Sequence, residues 1–327
     1  MAEKNVVQSL HDTLLEEMKR DDRVVVLGED VGARGGVFRV TMGFLDEFGE
    51  DRVVDTPLDE CLIAGVAIGL ALDDMRPVAE MQFADFSLPG FNQIVSEAAR
   101  IRYRSNGDFG CPMVIRAPYG GGVHGALYHS QSVEALYAHI PGLKVVAPST
   151  PADAKGMLIQ AIEDPDPVLF FEHKKTYRLI KGEVPDERYS VPFGKAEVRR
   201  EGSDLTVVSY GLMHHYCLEA AEKLSSDGLE VEVIDLRSIY PLDIDTVLSS
   251  VGKTNKAMIV YEDNKFLGVG AEVAAQIAEK ALFELDGPIV RVGGPHVPAM
   301  PYSPSLEHWF LPDAERIGQE MRKLIEF

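Results

Sequence analysis

A strand end, a proline break and an apolar helix follow one another in residues 55–69, which read DTPLDECLIAGVAIG. The strand is predicted to end near Asp55, Pro57 interrupts it, and a helix is predicted to begin near Glu60. Because the residues after Glu60 are apolar and include two glycines, we expect this helix to be buried. A strand followed directly by a buried helix is the building unit of α/β folds.

The same alternation extends over the first half of the chain. Apolar, often β-branched runs predict strands at 23–27, 77–83, 113–116, 143–147 and 167–171. Helical spacing of apolar residues predicts helices at 6–19, 60–72, 90–103 and 151–161. Ser9 is expected to assist the start of the first helix, and the pair Ser149-Thr150 to cap the last. Strands that alternate with helices predict a mostly parallel sheet.

A charged stretch with two prolines lies at 174–201, and the alternation starts again beyond it. Strands are predicted at 205–209, 231–235, 257–262 and 289–292, and helices at 214–225 and 271–283. We therefore predict two doubly wound α/β domains, residues 1–185 and residues 201–327, joined by a linker at 186–200.

The composition disfavours several classes of protein. The 327 residues carry a formal net charge of −20, which repels nucleic acid and anionic membrane surfaces and suits a basic protein partner. The apolar runs are too short to span a bilayer and the N-terminus is polar, so we expect a cytosolic or organelle-matrix location. The three cysteines have no paired spacing, which predicts buried free thiols rather than disulfides or a zinc site.

Glu60 is the first candidate site residue. A carboxylate at the start of a buried helix lies near the positive end of the helix dipole. On spacing alone, helix capping is favoured over a catalytic role.

A glycine-rich loop at 117–132, APYGGGVHGALYHSQS, carries the next candidates, His124 and His129. Three consecutive glycines allow positive φ angles and the close approach of a ligand. The loop is not a P-loop, because no Gly-Lys-Ser/Thr follows the glycines. A functional loop and a flexible surface loop with solvated histidines are equally compatible with the residues alone.

Two further segments accompany predicted strands. Residues 28–36, GEDVGARGG, do not have the spacing Gly-x-Gly-x-x-Gly, which disfavours an NAD-binding enzyme and favours a turn ordered by acidic groups. Gln82, Asp85 and Phe86 lie at or just beyond the end of the strand at 77–83. They are expected at the mouth of the parallel sheet, where ligands commonly bind, and core packing is the alternative for Phe86.

Together these segments resemble the β subunits of thiamine-diphosphate-dependent 2-oxo acid dehydrogenases over essentially the whole chain. The resemblance rests on VVVLGEDVG, GGVF, DTPLDE, AEMQFADF, EAARIRYRS, HGALYHSQSVEAL, PGLKVVAPSTPADAKG and DLRSIYPLD, which agree in order and spacing. Through GGVF, IRYRS and HGALYHSQS, the chain is most similar to the branched-chain, 2-oxoisovalerate type.

The resemblance implies an N-terminal pyrimidine-binding domain and a transketolase-like C-terminal domain. It places thiamine diphosphate at an interface between α and β subunits, with the diphosphate and magnesium held by the α subunit. In agreement, this chain lacks a Gly-Asp-Gly motif with a downstream Asn, and its nearest string is Gly107-Asp108-Phe109. We therefore expect activity only when the α subunit is present.

The resemblance also implies roles for individual residues. Glu60 matches the catalytic glutamate, which hydrogen-bonds N1′ of the pyrimidine ring and favours the imino tautomer that removes the thiazolium proton. His129 matches a histidine that assists acyl transfer to a lipoyl group. Leu58, Gln82 and Phe86 match positions beside the cofactor ring, and Phe86 lacks the hydroxyl of relatives that have Tyr there.

Relatives of this type also bind a structural potassium ion, mostly through main-chain oxygens. The matching positions in this chain are Cys111, Met113, Val114, Ala161, Asp164 and Asp166. Potassium is thus implied beside thiamine diphosphate and magnesium.

The implied assembly is an α2β2 heterotetramer that docks onto a lipoyl acyltransferase core. It decarboxylates a branched-chain 2-oxo acid and reductively acylates a lipoyl group. The chain end, Ile325-Glu326-Phe327, resembles the family ending that offers its carboxylate to the core, whereas His296 stands where some relatives have an acid. Pyruvate or acetoin dehydrogenase β subunits and a non-catalytic assembly subunit are the alternatives.

Overall fold

The structure, a computed structural model, describes residues 1–327, which form two compact units. The first unit consists of Met1–Tyr119 and Leu136–Phe193, and the second of Gly120–Ala135 and Gly194–Phe327. These units are defined by contacts, not by evolutionary domains, so the domain boundaries at 1–185, 186–200 and 201–327 stay a prediction. Each unit has its own apolar core.

The first unit alternates strands with helices along the chain. Its strands are β1 (Ala2–Asn5), β2 (Val24–Gly28), β3 (Val53–Asp55), β4 (Arg76–Glu80), β5 (Val114–Tyr119), β6 (Lys144–Val146), β7 (Val168–His173) and β8 (Lys181–Val184). Its helices are α1 (Val6–Arg20), α2 (Phe44–Phe48), α3 (Glu60–Leu72), α4 (Ile101–Arg104), α6 (Pro151–Glu163) and α7 (Thr176–Leu179). The short helix α5 (Glu134–Ala138) begins in the second unit and ends in the first.

The main sheet of the first unit is parallel, as the alternation predicted. Its strands follow the order β6-β7-β5-β4-β2-β3, and every one of these pairs is parallel. The strands β2, β5 and β7 are buried along their whole length, as expected when both faces of a sheet are covered. The strands β1 and β8 form a separate antiparallel pair.

The helices α1 and α6 pack against each other through their apolar sides. The prediction that Ser9 assists the start of α1 is wrong, because Asn5 caps the helix by accepting a hydrogen bond from the Gln8 N–H. Ser9 lies one turn inside α1, buried, and its hydroxyl donates to the Pro151 carbonyl at 2.6 Å. Thr150 caps α6, as predicted for the pair Ser149-Thr150.

Two other predictions for this half of the chain need correction. The strand predicted at 77–83 ends at Glu80, because the chain turns into a 3-10 helix at Ala84–Ser87. The helix predicted at 90–103 is broken into a π-helical turn (Gln93–Glu97), a 3-10 turn (Ala98–Arg100) and α4. The charged stretch at 174–201 contains α7 and β8 and ends in another strand.

The burial predicted for α3 is also only half right. One side of the helix, which includes Ile63 and Ala67, is buried. The opposite side is apolar but exposed, and it consists of Leu62, Gly65, Val66, Gly69 and Leu72. We call this stripe the exposed α3 face. Exposed apolar residues at helical spacing are typical of a surface that a partner covers.

The second unit is a smaller α/β structure. Its strands are β9 (Glu197–Arg200), β10 (Leu205–Ser209), β11 (Val231–Asp235), β12 (Ser238–Tyr240), β13 (Ala257–Asn264) and β14 (Val290–Gly294). Its helices are α8 (Gly211–Ser225), α9 (Ile244–Thr254), α10 (Val269–Ala281), α11 (Pro304–Phe310) and α12 (Ala314–Ile325), of which α9, α11 and α12 were not predicted. A five-stranded sheet has the order β14-β13-β10-β11-β9, in which only β9 is antiparallel to its neighbour.

Two predictions from the composition can be compared with the structure. None of the helices combines the length and the apolar character that a bilayer crossing demands. All three cysteines are free thiols; Cys111 and Cys217 are buried as expected, whereas Cys61 is only half-buried.

A buried ion network ties three neighbouring strands of the first sheet together. Arg116 of β5 donates from Nη1 to Glu80 of β4, and from Nε and Nη2 to the two carboxylate oxygens of Glu172 in β7, each at 2.7 Å. Tyr177 donates a further hydrogen bond to Glu172. The Arg116 side chain is 1% exposed, so its charge depends on these carboxylates for compensation. Burial raises the pKa of Glu80 despite the opposing attraction of Arg116.

Replacing Arg116 with methionine should strongly destabilise the full chain. The variant keeps most of the buried volume but leaves two carboxyl groups without their cation, which typically costs about 3–5 kcal/mol. The free energy of unfolding in urea measures this loss. Arg34→Met is the matched control, because the Arg34 side chain is 75% exposed. Equal unfolding curves for the two variants would contradict a structural role of the network.

Candidate active site

The carboxyl ends of three parallel strands meet at one edge of the first sheet. The chain passes from β2 to β3 on one side and then to β4 on the other, so the strand order switches direction at β2. In parallel α/β sheets, ligands bind outside the carboxyl ends at such a switch point. The segments that follow β2, β3 and β4 therefore form the candidate site.

Glu60 is the first residue of α3 and follows β3 by a short turn. The capping interpretation does not apply to it, because the neighbouring Asp59 accepts the hydrogen bond from the Leu62 N–H at 3.0 Å. The Glu60 side chain is half-buried. A carboxyl group that is not needed for capping stands at the positive end of a helix and at the mouth of the sheet.

Glu29, which the sequence analysis did not single out, lies beside Glu60. It directly follows β2, and burial raises its pKa, with smaller contributions from the negative charges of Asp30 and Glu60. Two carboxyl groups therefore share the mouth of the sheet. The sequence feature that could have identified Glu29 is its position immediately after a buried parallel strand.

Gln82 and Phe86 follow β4 and are both half-buried. The Phe86 ring packs edge-on against Phe83, with the ring centroids 5.7 Å apart. The same segment reaches the start of α3, because Cys61 Sγ donates to the Pro89 carbonyl at 2.8 Å. The structure thus brings Gln82 and Phe86 to the strand edge that also carries Glu60.

The segment after β4 also packs closely against the start of α3 at Gly90. A Cβ added at Gly90 would lie only 2.8 Å from the carbonyl oxygen of Glu60, so only glycine fits there. Leu58 precedes α3 and is 74% exposed. The edge therefore combines the acid Glu60, the amide Gln82, the aromatic Phe86 and the apolar Leu58. Polar and apolar side chains of these kinds fit a flat heteroaromatic ring with hydrogen-bonding nitrogens.

The glycine-rich loop is anchored by two carboxylates of the second unit. Gly121 N–H donates to Glu262 Oε1 at 2.6 Å, and Gly122 N–H donates to Glu307 Oε1 at 2.9 Å. His124 lies 2.5 Å from Glu307 Oε2 through its Nδ1. The interpretation as a loop with freely solvated histidines is therefore wrong for His124, although its side chain is 59% exposed.

His129 lies at the far side of this loop, after a 3-10 turn at Ala126–Tyr128. It is half-buried, and its backbone packs directly on Gly125, where an added Cβ would lie 2.7 Å from the His129 carbonyl oxygen. His129 belongs to the second unit, whereas Leu58, Glu60, Gln82 and Phe86 belong to the first. The assignment of roles to these five residues stays a prediction from the resemblance.

The positions matched to a potassium site come together in the first unit. The backbone N–H of Cys111 donates to the Pro165 carbonyl at 3.1 Å, which places the segment before β5 beside the end of α6. The two carboxylates at this place are already engaged, Asp164 by Lys144 at 2.5 Å and Asp166 by Arg102 at 2.6 Å. Carbonyl oxygens, which potassium prefers, are the donors that the arrangement can offer.

Comparison with known proteins places this arrangement in a class. The family model described as "Transketolase, pyrimidine binding domain" matches residues 2–180, and "Transketolase, C-terminal domain" matches residues 194–317. A solved structure titled "Split gene transketolase, inactive beta4 tetramer" has a TM-score of 0.79, covers 98% of each chain and shares 23% identity, which shows a common fold. The predicted fold class is confirmed: the chain has the transketolase-like fold of thiamine diphosphate enzymes.

Curated relatives narrow the class further. The chain is 58% identical to the 2-oxoisovalerate dehydrogenase subunit beta of Bacillus subtilis (strain 168), over 100% of both chains. It is 48% identical to the pyruvate dehydrogenase E1 component subunit beta of the same organism, again over 100% of both chains. The chain therefore belongs to the family of 2-oxo acid dehydrogenase β subunits, which are components of thiamine-diphosphate-dependent oxidoreductases.

A buried acid, Glu134, lies just beyond the glycine-rich loop at 117–132. Glu134 is fully buried and accepts a hydrogen bond from the Tyr210 hydroxyl at 2.7 Å. Burial, and then the negative charge of Asp263, raise the pKa of Glu134 to about 8. Burial also raises the pKa of Asp263 to about 6. Glu134 therefore holds its proton at neutral pH.

Glu134→Gln should make stability less dependent on pH. The folded-state pKa of Glu134 lies above its unfolded value of 4.5, so its contribution is complete below pH 4.5 and is lost as the pH rises through about 8. Over this window the wild type should lose up to about 1.4 kcal/mol per pH unit relative to the variant.

Unfolding free energies of the full chain at a series of pH values give this difference. Glu279→Gln on the exposed side of α10 is the control, and its curve should run parallel to that of the wild type. A Glu134→Gln curve that also runs parallel to the wild type would show that Glu134 is ionised in the folded protein.

Proposed function

We propose that this chain is the β subunit of an α2β2 dehydrogenase that acts on branched-chain 2-oxo acids. The observation that carries the proposal is Glu60, a half-buried carboxyl group at the switch point of the sheet whose capping role is taken by Asp59. Identity over the full length is 58% with a 2-oxoisovalerate relative and 48% with a pyruvate relative, which favours the branched-chain substrate.

Thiamine diphosphate supplies the carbon nucleophile for the 2-oxo group and accepts the electron pair released when carbon dioxide leaves. With the cofactor bound, Glu60 would donate or accept the hydrogen bond at N1′ of the aminopyrimidine ring and would thereby favour the tautomer with a basic exocyclic nitrogen. Leu58, Gln82 and Phe86 would line the ring and fix its orientation. Beside Glu60, burial raises the pKa of Glu29, with smaller contributions from the negative charges of Asp30 and Glu60.

His129 serves the second half of the reaction. In this step, the electron pair left by decarboxylation would form a bond from the acyl carbon to one lipoyl sulfur and break the sulfur–sulfur bond. The bond between the acyl carbon and the cofactor would then break, and the other sulfur would take up a proton. An imidazole can deliver that proton near neutral pH. The loop position of His129 suits a residue that meets a second macromolecule, here the lipoyl group carried by the acyltransferase core.

The α subunit completes the site in this proposal. It holds magnesium and the diphosphate, for which this chain has no Gly-Asp-Gly motif. The exposed α3 face supports a partner at this point, because the helix that begins at Glu60 has an exposed apolar stripe of the kind that partners cover. A partner on this face would also close the site above Glu60.

Potassium, in this proposal, is held mainly by main-chain oxygens of Cys111, Met113, Val114, Ala161, Asp164 and Asp166. The burial of Cys111 and Met113, and the engagement of both aspartate carboxylates by cations, leave the carbonyl groups as ligands. The ion would stiffen the junction between α6 and β5.

A panel of 2-oxo acids tests the substrate class. Reconstituted tetramer should have its highest kcat/KM with branched-chain 2-oxo acids, with pyruvate the second candidate because of the 48% identical relatives. A preference for pyruvate or for acetoin would overturn the substrate assignment and leave the family intact.

Glu60→Gln should lower decarboxylation in the reconstituted tetramer by about 10²–10⁴-fold, because the side chain can no longer exchange a proton with the ring. Release of carbon dioxide with an artificial electron acceptor measures this step. Glu50→Gln, an exposed change in the same unit, is the control. Near-normal turnover by the Glu60 variant would refute its catalytic role.

His129→Ala should separate the two half-reactions. Acylation of a lipoyl domain is expected to fall by about 10²-fold or more, while decarboxylation with an artificial acceptor stays within about threefold of wild type. His139→Ala, an exposed histidine of the first unit, should leave both rates unchanged. Equal losses in both half-reactions would place His129 in the first step instead.

A further inference from the structure

We infer that Glu307, assisted by Glu262, is a positioning residue that holds the loop of His129 in the conformation needed for acyl transfer. The inference rests on the proposed function of His129. Neither carboxylate was a candidate from the sequence, because both lie far along the chain from the loop. Neither is required to touch the substrate.

Glu307 holds the first half of the loop with both of its oxygens. Its Oε1 accepts hydrogen bonds from the backbone N–H groups of Gly122 at 2.9 Å and His124 at 3.2 Å. Its Oε2 lies 2.5 Å from His124 Nδ1. Glu307 is 3% exposed, so these contacts replace water around a buried charge.

Glu262 holds the two ends of the same loop. Its Oε1 accepts from the Gly121 N–H at 2.6 Å and from the Ser132 hydroxyl at 3.3 Å. Glu262 is also 3% exposed and is part of the strand β13. The Glu262 carboxylate thus joins the two ends of the loop, and the Glu307 carboxylate holds the turn at 122–124.

The loop needs such anchors because its backbone is strained. His124 and Ala126 both have a φ of +57°, in the left-handed region that residues with a Cβ rarely adopt. Such conformations are energetically unfavourable and persist when surrounding contacts enforce them. Hydrogen bonds from backbone N–H groups to a buried carboxylate are of the stronger, charge-assisted kind.

The anchored turn leads directly to His129. Gly125 follows His124 and packs against the His129 backbone, where an added Cβ would lie 2.7 Å from the carbonyl oxygen. The Ala126 carbonyl also accepts a weak hydrogen bond from the His129 N–H at 3.5 Å. A shift of the turn at 122–124 is therefore transmitted to His129 through one glycine.

The variants Glu307→Ala and Glu307→Gln test this inference in the reconstituted tetramer. Glu307→Ala should lower kcat for acylation of a lipoyl domain by about tenfold to a hundredfold, the range expected when a reacting group is misplaced by about 1 Å. Decarboxylation with an artificial acceptor should stay within about twofold. Glu307→Gln keeps an oxygen for the two N–H groups, so it should retain most of the acylation rate.

Amide hydrogen exchange supplies a readout that does not depend on catalysis. In the wild type, the amides of Gly121, Gly122 and His124 should exchange slowly, because each donates to a buried carboxylate. Glu307→Ala should speed exchange at Gly122 and His124 and leave Gly121 protected. Fast exchange at Gly122 and His124 in the wild type would overturn the inference even if the alanine variant did not fold.

The outcomes separate this inference from the function on which it rests. If His129→Ala leaves lipoyl acylation intact, the proposed function of His129 fails. If His129→Ala lowers acylation but Glu307→Ala does not, the positioning role fails while the function stands. Glu279→Ala, an exposed acid of the second unit, should match the wild type in both half-reactions and in exchange. A loss of both half-reactions in Glu307→Ala would show general structural damage and would count against a positioning role.

Discussion

The buried guanidinium of Arg116 is the constraint on which the first unit depends. It spans β4, β5 and β7 by pairing with Glu80 and Glu172, close to the carboxyl ends of these strands. Buried ion pairs add little net stability compared with apolar packing, but they leave few alternative arrangements because an unpaired charge in the core is so costly. Glu80 is the last residue of β4, and Gln82 stands two residues beyond it. The charge network thus fixes the strand end from which one wall of the candidate site begins.

Buried carboxylates also organise the second unit, where they hold a loop instead of joining strands. Glu262 and Glu307 receive backbone N–H groups of a glycine-rich loop. Glycines make these N–H groups accessible, and the carboxylates compensate for the strain at His124 and Ala126. Burial raises the pKa of Glu134, at the end of the loop, and so disfavours a negative charge on its side chain. The loop therefore has order without forming part of a sheet or a long helix.

The sequence predicted the parts of this structure that local patterns determine. The helix at 60–72, the strands at 205–209 and 231–235, and the parallel sheet all follow from apolar periodicity, and the structure confirms them. The pattern could not show that Asp59 rather than Glu60 caps α3, because both acids stand at the helix start. It also could not pair Gly122 with Glu307, since 185 residues separate them. Contacts of that kind follow from the tertiary fold, and no local signal records them.

The half-exposed state of α3 connects the fold with the requirement for a second subunit. The sequence predicted complete burial from apolar composition, and the prediction is wrong for this chain alone, since Leu62 and Val66 remain exposed. Composition reports whether a residue is apolar, and it does not report which polypeptide covers it. The exposed α3 face begins at Leu62, two residues after Glu60 on the same helix, so we expect a chain that covers this face to limit the access of water to the Glu60 carboxyl. A hydrogen bond is electrostatically stronger in such a dry environment than in water. If Glu60 contacts the cofactor ring as proposed, a chain that covers the helix would also strengthen that contact, which would give a physical reason for activity to depend on assembly.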